Sequence, residues 1–506
     1  MRRALLGAGL ALLALLVAGC AVGPNYRKPS APVPSAFKEL GPSPTPTPAG
    51  SAEWKPAQPG DDRLRGKWWE VFGDPGLNAL EEQVNVSNQN VARAEAQFRG
   101  ARAAARGARA DLFPTIGATA SATRSKPVTR PGVPTATTTQ YELSADLSWE
   151  LDVFGRIRRN VESNVQAAQA TAGDLEAVRL ALHAELAVDY FLLHGLDAQK
   201  QLLDTNVAAF QTALQLTTNR FNQGVVSGVD VAQAQTLLET TRAQATDLTL
   251  TRAQLEHAIA ILTGKPPAEL TIAPSPITVT PPAIPIALPA ELLERRPDIA
   301  ASERRVAAAN AQIGVAVAGF FPRLLLAASG GYGNSTLTKF FSLPNRFWSL
   351  GPSLVETLFD GGKRRAAKEQ AEASYDAAVA TYRESVLTAC QDVEDSLAAL
   401  RILDLEATQL ADAVAAAERS LSIARNRYNG GVTTYLEVIT AQSAALANER
   451  SAVDILTRRM TASVNLVSAL GGGWSASDLP TGFEILTGRG AAPVGQPQAE
   501  RAESPR

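Results

Sequence analysis

The sequence predicts a mixed α and β fold with internal duplication: long antiparallel coiled-coil helices that carry four short amphipathic β-strands in each chain. Three observations predict it. Residues 220–235, RFNQGVVSGVDVAQAQ, return 207 positions later as RYNGGVTTYLEVITAQ at 427–442. Ahead of both copies, apolar residues keep a heptad spacing over a stretch longer than an ordinary globular domain needs. Elsewhere, four stretches of about ten residues alternate apolar and polar side chains.

Composition sets the bounds. The chain has 506 residues with 48 basic and 50 acidic side chains, a balance that points away from a nucleic-acid partner. Apolar residues make up 45% but aromatics only 6%. Much of the apolar content is alanine, which favours long, closely packed helices over a bulky aromatic core.

At the N-terminus, Arg2 and Arg3 precede an apolar run from Ala4 to Ala18. A membrane span needs roughly 20 such residues, so residues 1–19 read as a signal peptide. Val17-Ala18-Gly19-Cys20 resembles a bacterial lipobox, which would make Cys20 the lipid attachment site; the alternative is a small-residue cleavage site that contains a cysteine. Ala21 follows in place of the Asp often found in inner-membrane lipoproteins, and by that resemblance the destination is the outer membrane. Several acyl chains on one residue anchor stably where one would not. Cys390 then has no disulfide partner and reads as a small packed residue. Residues 20–65 form a Pro-rich, lipid-anchored tether with PSPTPTP at 43–49, and 486–506 a flexible tail.

Between these ends lie two repeats, 66–272 and 285–480, joined by a proline-rich link at 271–289. Phe113-Pro114 answers to Phe321-Pro322, and FGRIRR at 154–159 to GGKRRA at 361–366. Each half runs in the same order. A first helix, 76–111 or 290–319, leads into two alternating stretches; a very long helix, the repeated motif and a further helix follow. Leu203, Val207, Phe210, Leu214, Thr217 and Phe221 set the heptad seam, matched by Leu410, Val414, Ala417, Leu421, Ala424 and Tyr428. From Arg156 to Asn219 such a helix would reach roughly 95 Å. No later segment offers the uninterrupted apolar run of a transmembrane helix.

The alternating stretches cover about 115–123, 140–151, 323–333 and 346–356. Tyr141, Leu143, Ala145, Leu147, Trp149 and Leu151 share one face of the second; Gln140, Glu142, Ser144, Asp146, Ser148 and Glu150 share the other. Period two over such lengths is the pattern of transmembrane β-strands. Soluble hairpins packed on a core show the same alternation. In lipid a sheet must close on itself, because each unpaired backbone group there is costly. Four strands cannot close a bacterial barrel, which starts at eight. Two chains would supply eight strands and three would supply twelve. An eight-stranded barrel is filled by its own side chains, so a conduit favours three or more chains.

Gly224 and Gly431 fall where the heptads stop, and a new helical pattern follows each, so both mark helix reversals. If both halves hang from one barrel, the two reversals form the far tip. Arg220 and Arg427, and Asp230 and Glu437, are polar pairs at duplicated positions; they are either functional groups of the tip or solvated tip charges.

GCAVGPNYRKP, WWEVFGDPGLNAL, FGRIRR, LLERRPDIAASERRVAAANAQIGVAVAGFFP and the two RF/RY–G–V motifs resemble the TolC-like outer-membrane efflux proteins, most closely the lipoprotein branch serving RND pumps, the OprM/NodT-like group. The resemblance spans residues 20–475. It implies a homotrimer with a twelve-stranded barrel, four strands from each chain, above a periplasmic α-barrel that narrows at its tip. It also implies a periplasmic adaptor (membrane fusion protein) gripping that tip and an inner-membrane RND pump supplying the energy. Carried over by position, Asp230, Tyr428 and Glu437 match residues of the periplasmic aperture. Adaptor contact falls on the two turns that contain Arg220, Gly224, Arg427 and Gly431. The chain departs from the pattern at Thr433, where an Arg can brace the closed state, and at Thr440, where a second acidic ring can occur. The expected function is a passive exit duct for drugs or other small molecules; the alternative is the exit duct of a type I protein secretion system.

The sequence offers little for other chemistry. His183, His194 and His257 form no HExxH or CxxC–His grouping, so neither a metal nor a cofactor is expected, and no acid/base or nucleophile grouping recurs to support an enzyme. GGYGN at 330–334 lies in a strand pattern and is weak evidence for nucleotide binding. Arg99, Arg102, Arg106 and Arg109 form a basic stripe that either lines a tunnel near the membrane or is a solvated or cross-paired helix face. Lys126 and Arg130 belong to the segment between the first two strands, expected outside the cell.

Overall fold

The structure is a computed structural model that describes residues 21–40, 66–126, 136–277, 279–282, 284 and 291–488. Cys20, the signal segment, Arg130 and the end of the tail lie outside the described residues.

The first half comprises α1 (Pro75–Ser87), α2 (Gln89–Ala110), β1 (Thr115–Ser125), β2 (Thr138–Leu151), α3 (Arg156–Asn222) and α4 (Gly228–Leu262). The second comprises a single turn (Leu292–Arg295), α5 (Pro297–Ala318), β3 (Arg323–Asn334), β4 (Arg346–Val355), α6 (Lys363–Asn429) and α7 (Tyr435–Ala469); a short α8 (Gly482–Thr487) closes the chain. Lengths match across the duplication: α3 and α6 have 67 residues each, α4 and α7 35, and α2 and α5 22. At 1.5 Å per residue α3 and α6 each span about 100 Å. None of the described helices is long and apolar enough to cross a membrane, which says nothing of a β-barrel.

The sequence predicts one unbroken first helix per half, and here the structure differs. Asn88 (ψ 126°) separates α1 from α2, and Arg296 (ψ 123°) separates the Leu292–Arg295 turn from α5. Pro297 pushes the residue before it out of the helical region. Asn88 breaks the helix by capping: its Oδ1 accepts from the backbone N–H groups of Asn90 (2.8 Å) and Val91 (3.3 Å), while its Nδ2 donates to the Leu262 carbonyl at 2.8 Å.

The strands form one antiparallel sheet in the order β1-β2-β3-β4. β2 and β3 join the two halves, and β1 and β4 are edges. Register places Ile116, Leu147, Ala328 and Leu350 in one row across the sheet, and Gly117, Asp146, Ser329 and Ser349 in the next. Successive residues face opposite sides, so one face is mainly apolar, with Arg124, Asn334 and Arg346 at one end, and the other is mainly small or polar, with Leu325, Phe347 and Val355 as exceptions. The apolar face is not a buried core: Trp348, Leu350 and Leu354 remain 74%, 65% and 68% exposed in the single chain.

The same order continues into the helices. α2 runs into β1, β2 into α3, α5 into β3 and β4 into α6, so α2 and α6 stand over the sheet edges. Side-chain burial is heaviest midway along the stalk. Trp68, Leu77, Leu186, Phe191 and Leu193 pack in the first half; Tyr382, Val386 and Val393 pack with Ile299 and Val306 in the second. Each such side chain contributes about 1.5–3 kcal/mol by leaving water. Toward the tip the coiled-coil seam takes over. Leu203, Phe210 and Thr217 are buried as the heptad predicts, but Phe221 at its end is 46% exposed.

Residues 21–40, the start of the predicted tether, run without regular structure to a single 3-10 turn at Lys38–Leu40 and are pinned to the helices. Val22 N–H donates to the Phe154 carbonyl at 3.1 Å. The buried Arg159 donates to the carbonyls of Val22 (3.2 Å) and Gly23 (3.4 Å) and to Asn25 Oδ1 (3.0 Å). Phe37 is buried beside Leu292 and Tyr382. The segment therefore docks through the buried Arg159 and Phe37, and further through Tyr26, which donates to Glu303, and the backbone N–H groups of Lys38 and Glu39, which donate to Glu394.

Candidate functional site

The site is the pair of helix reversals at the far end of the stalk. Both use the same backbone device. The N–H of Val225 donates to the Arg220 carbonyl at 2.9 Å, and the N–H of Val432 to the Arg427 carbonyl at 2.9 Å. Each is the six-residue bond of a Schellman motif, which needs a left-handed residue just inside it. Gly224 (φ 73°) and Gly431 (φ 71°) supply that residue at no steric cost.

The duplicated acids that follow diverge. Asp230 closes its own helix: Ser227 N–H and Oγ donate to its Oδ2, both at 3.0 Å, and Asp230 N–H returns a bond to Ser227 Oγ at 3.4 Å. Thr434 and Glu437 have the same box spacing, yet Thr434 makes no side-chain cap. The Glu437 carboxylate instead accepts from Arg427 Nη1 across the turn at 2.9 Å, and from the Thr433 hydroxyl. The Thr433 hydroxyl thus engages the same carboxylate that pairs with Arg427.

The two reversals touch through an aromatic ring. The Arg220 guanidinium lies 4.9 Å from the Tyr428 ring centre, and Tyr428 is tilted against Tyr435 at 5.2 Å. Tyr435 is buried with Ala234, Ala424 and Val438, and burial pushes its phenol up from the ordinary value. Of the sequence-predicted residues, the structure joins Arg220 to Tyr428 and Arg427 to Glu437. Asp230 stays within its own capping box. Tyr435 is the residue that sequence reading misses, although it sits inside the repeated motif where the first copy has Gly228.

Around these polar contacts the turns expose apolar side chains at duplicated positions. Val225 and Val432 are 67% and 71% exposed, and Val229 and Leu436 63% and 54%. Between α6 and α7 an open groove of about 840 Å³ is lined by Arg419, Ile423, Arg427, Leu436, Glu437 and Thr440. Among the described residues, no three His, Cys, Asp or Glu side chains come together where they could hold a metal ion. The tip thus brings together an ion pair, a cation–ring contact and an open, partly apolar groove.

The family model for outer membrane efflux proteins matches residues 80–265 and 288–472, one match in each half. The chain belongs to the outer membrane efflux protein family. It is similar to the outer membrane protein OprJ of Pseudomonas aeruginosa, 31% identical over 479 residues, covering 94% of this chain and 97% of that protein. It is also similar to the solvent efflux pump outer membrane protein SrpC of Pseudomonas putida, 32% identical over 474 residues, covering 92% and 97%. Among solved structures, the outer-membrane channel OprN matches with a TM-score of 0.79 at 33% identity, covering 90% of this chain and all 100% of that one. The open state of the Neisseria gonorrhoeae MtrE outer membrane channel matches with a TM-score of 0.78 at 27% identity, covering 91% and 100%. The efflux protein described here therefore shares both fold and family with outer-membrane channels.

Proposed function

We propose that the chain is the outer-membrane exit duct of a tripartite RND-type efflux system for drugs or other small molecules. Three copies pool their sheets into a twelve-stranded transmembrane barrel, and their long helices form a periplasmic α-barrel. The observation that carries this reading is the four-stranded sheet. It is mainly apolar on one face, mainly small or polar on the other and open at both edges, and it stands on helices about 100 Å long. Lipid attached at Cys20 adds an anchor beside the barrel.

The duct is passive, without catalysis, cofactor or metal. An inner-membrane pump supplies the work through a periplasmic adaptor. Tyr428 and Glu437, braced by Arg220 and Arg427, narrow the aperture, with Asp230 holding the neighbouring helix start. The turns at Gly224 and Gly431 present the adaptor-contact surface, to which Val225, Val229, Val432 and Leu436 add apolar area. Co-purification from detergent-solubilised membranes tests the reading. An adaptor and an RND pump should accompany the tagged chain; recovery with the ATP-driven pump of a type I secretion system would assign it there instead.

A further inference from the structure

The end of the sheet farthest from the helices carries a cluster of rings and cations on its apolar face. Tyr332 and Arg346 stand directly opposite each other on β3 and β4, in the row that holds Ala120 and Leu143. The loop between these two strands folds back onto Tyr332. The ring centres of Phe341 and Phe340 lie 5.4 and 6.4 Å from that of Tyr332, and 5.1 Å from each other.

The residue before this pair is Lys339. Among the described residues it is the only one besides glycines with a left-handed backbone, φ 61°. That conformation is costly for a lysine. Asn345 holds the loop in it: Nδ2 donates to the carbonyls of Lys339 (2.9 Å) and Phe340 (3.2 Å) and to Ser342 Oγ (3.0 Å).

Charge here is one-sided. No Asp or Glu occurs from residue 304 to 355, or from 112 to 141. Glu142 and Asp146 of β2 face the other side of the sheet. Lys339 and Arg346 are exposed, and neither has an ion-pair partner among the described residues. Exposed apolar side chains flank them in sequence: Phe341, Leu343 and Trp348 are 70%, 78% and 74% accessible. Unpaired long cations beside exposed rings suit a membrane interface, where the cation reaches headgroups and the ring sits at the acyl boundary. An aromatic belt alone would account for the rings. It would not account for two uncompensated cations, or for a lysine held in a strained backbone by its own loop.

We propose that Lys339 and Arg346 form a seat for the phosphorylated headgroup of an outer-leaflet lipid, with Tyr332, Phe340, Phe341 and Trp348 against the start of its acyl chains. Phosphate supplies the negative charge that this end of the sheet lacks, and Asn345 sets the loop in place before the lipid arrives. The seat rests on the barrel reading above, which turns the apolar face toward lipid.

The test uses the full-length chain, stripped of native lipid in detergent and titrated with diphosphorylated lipid A under native mass spectrometry. Wild type should retain the lipid, and Lys339→Gly combined with Arg346→Gln should weaken it about tenfold. Glycine suits the left-handed backbone, so the loop keeps its path while the charge is lost. Arg323→Gln, at the inner end of β3, should leave binding unchanged. Lipid A stripped of its phosphates should bind wild type as weakly as the intact lipid binds the double variant. Equal affinity of wild type and double variant, or of the lipid with and without phosphate, overturns the seat and leaves the barrel reading standing. Inorganic phosphate that displaces lipid A at equal concentration overturns the lipid in favour of a free anion. A chain that binds neither detergent nor lipid overturns the barrel reading and the seat with it.

Discussion

The guanidinium of Arg220, from the first half of the chain, lies 4.9 Å from the ring centre of Tyr428, from the second. This contact ties the two helix reversals of one protomer at the tip. Both groups are half-buried, and a cation over such a ring is worth on the order of 1 kcal/mol, enough to bias an aperture without locking it. Arg220→Ala should therefore open the tip more often while the fold stays intact. Single-channel recording in planar bilayers should show a higher open probability, and unchanged gating would remove Arg220 from the aperture.

Glu437 is held by Arg427 and Thr433, but the ion pair is half-exposed, with side chains 51% and 40% accessible. Such pairs contribute less than about 1 kcal/mol and are screened by salt. Glu437→Gln should leave the melting temperature within a degree or two of wild type. It should raise conductance at low ionic strength, and the difference should vanish near 1 M salt. A conductance change independent of salt would argue against an electrostatic role.

Gly431 occupies a left-handed conformation (φ 71°) that a β-branched residue resists. Gly431→Val should cost roughly 1–3 kcal/mol at the turn and displace Val432 and Leu436 from their exposed positions. Cross-linking to the adaptor should fall several-fold while barrel assembly persists. Wild-type cross-linking in this variant would separate the turn from the docking surface.

Midway along the stalk, His183 Nδ1 lies 2.6 Å from Glu81 Oε2, with His183 Nε2 3.2 Å from Asn85 Oδ1 and the imidazole stacked on Trp69. Burial holds Glu81 well above the usual carboxylate range and pulls His183 down to about 4. Both shifts favour a pair without net charge in which Glu81 keeps its proton. The folded state then binds that proton more tightly than the unfolded chain, so the Glu81 contribution is present at acid pH and is lost as pH rises through its elevated folded value. His183 has the opposite sign, losing stability as pH falls from about 6.5 toward 4. Glu81→Gln, which cannot ionise, should gain thermal stability relative to wild type as pH goes from 5 to 9. Melting curves at three pH values check this, and a constant difference would contradict the protonated assignment.

Much of the architecture is legible because it is written twice. The matched turns, the heptads and the period-two strands predict element order and the strand edges to within about two residues. The breaks at Asn88 and Arg296 differ in legibility. Arg296-Pro297 is a local signal, whereas Asn88 caps the next helix locally and is fixed there by a carbonyl 174 positions away. The candidate site divides in the same way. Ser227 and Asp230 make a capping box, a local arrangement that the reading of Asp230 as an aperture or solvated tip residue passed over. Thr434 and Glu437 have that spacing and do not make it, because Arg427 and Thr433 compete for the carboxylate once the turn has formed. Pairing across a turn depends on three-dimensional closure, which spacing alone does not encode. The docked segment 21–40 is illegible for the same reason: its partners Arg159, Glu303 and Glu394 are far along the chain.

The central claim is that a single chain leaves its sheet open and that copies close it. Light scattering with detergent correction, on protein extracted from membranes, measures this most directly. The account predicts a complex of three chains that requires detergent to stay in solution. A monodisperse single chain, stable in buffer without any detergent, would contradict it.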